Sequence, residues 1–140
     1  GSLGEALLAP TRIYHHAART AHAHGNVTGI CHVTGGGLVE NPPRIYGDDL
    51  ALRLDCGSWH LPPIFDWLAR AGGVRSAELA RTFNCGIGMV IFVSAADAEN
   101  CLVALQENGE PAAWIAGELT VRGGGPAVEF LSMDSWPTAS

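Results

Sequence analysis

Hydrophobic positions along this chain fall into short runs separated by glycine, proline and polar clusters. The run 27–33 is apolar and stops at three consecutive glycines, which predicts a strand leading into a glycine turn. The run 87–93 is almost wholly apolar and rich in β-formers, which predicts a central strand buried on both faces. Weak alternation at 51–54 and the stretches 114–121 and 127–131 predict three more strands. Helical patterns lie between them. Residues 15–24 are Ala-rich and stop at Gly25-Asn26, and a short helix opening at Leu38-Val39-Glu40 is ended by Pro42-Pro43. Pro62-Pro63 starts a helix whose Ile64, Trp67, Leu68 and Ala71 share one face, closed by Gly72-Gly73. Ser76 is expected to cap a short helix through Arg81. Ser94, with Asp97 as its capping-box partner, begins the clearest helix, buried along Ala98, Cys101, Leu102 and Leu105 and ended by Gly109. Residues 3–8 form an apolar lead-in and 10–14 an extended segment. The tail from Ser132 reads as loose.

This alternation predicts an α/β (α+β) sandwich, a mixed sheet packed with helices. With no internal repeat and no interior linker, residues 3–131 read as one domain, 132–140 as a loose tail, and Gly1-Ser2 as an expression scar. The 140 residues suffice for a real core. Hydrophobic residues make up 47 % and charged ones 16 %, a globular balance. A net charge of −6 with only eight Lys+Arg argues against a nucleic-acid partner. No run is long enough to cross a bilayer and no signal-peptide pattern opens the chain, so no membrane partner is expected. Cys31, Cys56, Cys85 and Cys101 are scattered without C-x-x-C spacing, which suits reduced thiols in a cytoplasmic protein.

Candidate chemistry concentrates in two places. Gly35-Gly36-Gly37 sits at a strand-to-helix junction, where free amides and the helix dipole suit an anion; a tight turn with close packing explains the same residues. His32, just before it, is either functional or hydrogen-bonded in the core. The segment Arg81-Thr82-Phe83-Asn84-Cys85-Gly86-Ile87-Gly88-Met89 is either a substrate-facing turn at a sheet edge or a helix end followed by a bulge. Cys85 reads as a structural thiol, since no His partners it in the sequence. Thr11 and Arg12 either contact an anion or pin the lead-in, and Arg44 is a second anion contact or a surface charge. Five of six histidines lie between His15 and His32, which invites zinc. Geometry weakens that: on a helix His15 and His22 stand about 10 Å apart, so no metal is expected.

Taken in order, Pro10-Thr11-Arg12-Ile13-Tyr14, His32-Val33-Thr34-Gly35-Gly36-Gly37-Leu38, Glu40-Asn41, Pro43-Arg44, Trp59 with Pro62-Pro63-Ile64-Phe65, the segment 81–89, and Gly109-Glu110-Pro111-Ala112 leading to Ile115-Ala116-Gly117-Glu118 closely resemble the C-terminal domain of the phosphoribosylformylglycinamidine cyclo-ligase (aminoimidazole ribonucleotide synthetase) family. The resemblance covers nearly everything from Leu7 to about Val121. It implies an ATP-dependent ligase of purine biosynthesis. There the amide oxygen of formylglycinamidine ribonucleotide is phosphorylated and a nitrogen of the same substrate displaces the phosphate. It further implies a substrate phosphate against Thr34, Gly35, Gly36 and Gly37, with Arg81 and Arg12 as further binding residues and His32 and Asn84 as catalytic ones. ATP and Mg are implied to be held mainly by an N-terminal half absent from this sequence, so this segment alone is expected to be inactive. The full-length protein is implied to be a homodimer. The alternative is a non-catalytic ribonucleotide- or phosphate-binding module of the same superfamily. The helix histidines are no part of the family pattern.

Overall fold

The computed structural model describes residues 1–136. The chain opens with α1 (Leu3–Leu7), capped by Ser2 in a full capping box with Glu5. It continues through α2 (His15–His24), β1 (Val27–His32), α3 (Gly37–Glu40), β2 (Leu50–Asp55), α4 (Pro63–Gly72), α5 (Ser76–Thr82), β3 (Met89–Val93), α6 (Ala98–Glu107), β4 (Gly117–Val121) and β5 (Val128–Leu131). The sandwich is built on two sheets rather than one. β1 and β3 form an antiparallel pair with Ile30 opposite Ile91 and His32 opposite Met89. β2 lies between β4, antiparallel to it, and β5, parallel to it. A single core joins both, drawing Cys31, Val33 and Phe92 from the first side and Leu52, Leu54 and Val128 from the second, closed by Leu38, Ala69, Leu79 and Ile87.

Small side chains set the packing of α2 against α6. The buried positions are Ala17, Thr20 and Ala21 on one and Cys101 and Ala104 on the other. Beyond α2, a Cβ on Gly25 would already crowd Cys101. The junction is tied by Asn100 Nδ2 donating to the His24 carbonyl at 2.7 Å.

Five expectations need correction. Ser76 does not cap α5: it is the opening residue of that helix, and Arg75 stands at its N-cap. β3 is not buried on both faces: it is half of a two-stranded sheet, and among its residues only Phe92 is buried. Its apolar run reflects one core-facing side and one partly covered side. α4 is turned from the expected stripe. Ala69 is its fully buried residue, Phe65 meets Phe83 at a ring separation of 5.8 Å, and Trp67 is 45 % exposed. Contact with α5 through the phenylalanines fixes that rotation. Asp97 does not complete a capping box. It ends a 3-10 turn, and its carboxylate instead accepts from Ser94 Oγ at 2.7 Å and from the Asn26 amide at 2.9 Å, pinning the start of β1. Those bonds hold its carboxyl below the usual range, since both favour the charged form. Residues 132–136 are not loose. Trp136 is 4 % exposed and its Nε1 donates to the Cys56 carbonyl at 3.0 Å. The rest of the expected tail, 137–140, lies outside the described residues.

Candidate functional site

The glycine turn forms where expected, and its construction is partly inward. Gly36 and Gly37 adopt φ of 92° and 56°, values that glycine alone takes without strain. A Cβ on Gly37 would strike the carbonyl oxygens of Ala80 and Phe83, the second at 2.6 Å. Gly37 therefore lets the turn lie directly on the C-terminal end of α5, and this contact joins the two segments that the sequence marks out. Asn41 locks the turn from below. It is 4 % exposed; its Nδ2 donates to the Gly35 and Gly37 carbonyls at 2.9 and 3.0 Å, and its Oδ1 accepts from the Thr34 amide and hydroxyl at 3.4 and 3.2 Å.

That geometry trims the expected anion seat. The amides of Thr34 and Gly37 are already paired, Gly37 donating to the Thr34 carbonyl at 3.0 Å, and the Thr34 hydroxyl is spent on Asn41. Gly35 and Gly36 keep amides without a partner among the described residues, and Gly35 has open space around its Cα. α3 has a single turn, so its dipole adds little. The Glu40 carboxylate also leans over Gly36, where a Cβ would stand 2.8 Å from its Oε2. A bare anion here meets two amides and one negative charge.

The remaining predicted residues gather nearby in different states. His32 is exposed at the end of β1, its ring 6.0 Å from Tyr14. The Tyr14 hydroxyl fills the place a side chain at Gly88 would take. Arg12 lies over the Tyr14 ring at 5.5 Å, and its guanidinium pairs with Glu110 at 2.9 Å while its side chain stays largely exposed. Arg81 is exposed on the last turn of α5. Asn84 is half-buried, and its Oδ1 accepts from the Gly86 amide at 3.0 Å, shaping the turn into β3. Cys85 sits in that turn with φ of 52°, fully buried. Burial pushes its thiol, like that of Cys56, up to about 12, which leaves no thiolate for nucleophilic work. The described residues contain no group of three His, Cys, Asp or Glu placed to hold a metal. No helix among them is long and apolar enough to cross a membrane.

Two features escaped the sequence reading. Asn41 stands in the sequence only as part of the Glu40-Asn41 segment of the family resemblance, and its hold on the turn through four contacts was not foreseen. The second is a cleft of about 320 Å³ beside the 84–86 turn, walled by Trp59 and Trp114. Its walls lie 55 residues apart in sequence, and no local pattern joins them.

Comparison with known proteins bears directly on this arrangement. Residues 1–128 match the family model described as AIR synthase related protein, C-terminal domain. The chain is 52 % identical over 109 residues to the phosphoribosylformylglycinamidine cyclo-ligases of Burkholderia mallei (strain SAVP1) and Burkholderia pseudomallei (strain K96243). It is 51 % identical over the same length to that of Burkholderia cenocepacia (strain HI2424). Each alignment covers 78 % of this chain and 31 % of the relative, so the chain spans about a third of the length of the proteins it matches. The mixed architecture fits, and the family model's match over nearly the whole sequence shows that the chain belongs to the AIR synthase related protein C-terminal domain family.

Proposed function

We propose that this chain is the substrate-holding portion of a phosphoribosylformylglycinamidine cyclo-ligase, acting in purine biosynthesis. In this reading the whole protein uses ATP to close the imidazole ring, and the glycine turn receives the substrate's 5-phosphate. The observation that carries it is the pair of amides at Gly35 and Gly36 that find no partner among the described residues, on a turn that Asn41 and α5 hold in place. Rigid amides bind an anion without an ordering cost. Glu40 opposes a bare phosphate, so a phosphate carrying a divalent cation is the better guest. His32 and Arg81 flank the turn and face solvent, able to meet the rest of the substrate. ATP and Mg belong mainly to the part of the protein outside this segment, which would also supply the homodimer contacts in the cytoplasm. Alone, the segment performs no ring closure.

Amide NMR titration with ribose 5-phosphate, with and without Mg, tests the seat. Shifts confined to Gly35, Gly36 and their neighbours, stronger with Mg and abolished by Gly35→Asp, are expected. Unmoved glycine amides would remove phosphate holding from this turn. A second reading, a non-catalytic phosphate-binding module, is favoured by one observation: among the described residues His32 meets the Tyr14 ring and no charged partner. Restoring the remaining two-thirds of the protein separates the two. ATP-dependent ring closure then supports the ligase, and phosphate binding without turnover supports the module.

A further inference from the structure

We propose that the cleft lined by the touching pair Trp59 and Trp114 is a binding site for a neutral planar nitrogen heterocycle. Trp59, His60, Pro62, Gly86, Ala112 and Trp114 line it, with Ser58 at the rim, and it includes no residue of the glycine turn. Among the described residues no Asp, Glu, Lys or Arg lines it, so those walls hold no charge that could repay a charged guest for lost water. Both indole N–H groups are turned away from a guest: Trp59 Nε1 donates to the Cys85 carbonyl and Trp114 Nε1 to Ser58 Oγ, each at 3.0 Å. Ser58 in turn donates to the Asp55 carbonyl at 2.7 Å. What the tryptophans can still offer is π surface, which suits a flat ring.

The walls are also fixed in advance. Trp59 touches Trp114 at a ring separation of 5.9 Å and is backed edge-on by Trp136 at 5.4 Å. Trp114 remains 37 % exposed despite being anchored, an apolar surface held ready in water. Gly86, at φ 93°, leaves bare backbone on the floor, and a Cβ there would run into Pro62 at 2.7 Å. The imidazole of His60 has no partner among the described residues and is exposed at the edge, so it can exchange a hydrogen bond with a ring nitrogen. At about 320 Å³ the cleft is at the lower end of small-molecule sites and takes one or two fused rings.

Adenosine serves as the heteroaromatic probe and cyclohexanol as the aliphatic one, read by tryptophan emission and by NMR of the indole and Gly86 signals. Saturable quenching by adenosine is expected, with shifts at Trp59, Trp114 and Gly86 and affinity at least tenfold above cyclohexanol. Trp114→Ala should weaken adenosine at least tenfold. Ala112→Leu, on an exposed loop where folding is not at stake, should block the cleft to the same degree. Non-saturable quenching, equal binding of cyclohexanol, or unchanged affinity in Ala112→Leu each overturns the site. Ribose 5-phosphate reports on Gly35 and Gly36 instead, so failure of one site is distinguishable from failure of the other.

Discussion

The chain contains the same tripeptide twice, and the two copies do different work. Gly123-Gly124-Gly125 links β4 to β5 across β2, with φ of 56° and 83° at its first two residues and nothing within 4 Å of an added Cβ at either. Arg122 closes it, Nε donating to the Gly125 carbonyl at 2.6 Å. Gly35-Gly36-Gly37 is crowded instead: Gly37 has backbone of α5 against it, Gly36 has Glu40, and Gly35 alone is open. In the later run glycine serves only the dihedral angle. In the earlier run it serves the angle and the close approach of two chain segments, and leaves Gly35 as its one open position.

Substitutions rank the difference. Gly37→Ala combines a left-handed dihedral with a collision against backbone that cannot swing aside, and should cost about 3 kcal/mol or more by chemical denaturation. A loss under about 1 kcal/mol there would erase the distinction between the runs. Asn41→Ala removes the buried amide that ties Thr34, Gly35 and Gly37, and should cost about 2 kcal/mol. It should also broaden the Gly35 and Gly36 NMR signals, which a loss of packing elsewhere would leave sharp. Gly124→Ala meets only the dihedral penalty, about 1 kcal/mol, with no change in phosphate titration. Gly35→Ala, in open space and without a positive φ, should stay within about 0.5 kcal/mol of the parent. Thermal melts at fixed pH resolve these last two.

Sequence patterning located the glycine turn, the order of strands and helices, and the segment 81–89, because each is written in neighbouring residues. It could not show that Gly37 faces Ala80 and Phe83, which requires knowing that α3 lies on α5. The same limit explains the corrected rotation of α4, where Phe83 decides which side of the helix is covered, and the open edge of β3, where sheet width decides burial. Arg12 meets the same limit: the sequence leaves it as an anion contact or a pin for the lead-in, and its ion pair with Glu110, 98 residues away, is visible only in the fold. The Trp59–Trp114 cleft was beyond reach for that reason too.

Trp136 separates two definitions of this unit. The family model matches residues 1–128, whereas the indole that backs Trp59 and bonds the Cys56 carbonyl comes eight positions later. Cutting the gene at the recognised border would therefore keep every matched position and still strip one wall's support. A boundary drawn by resemblance marks what was inherited, and the one drawn by packing marks what must be expressed together.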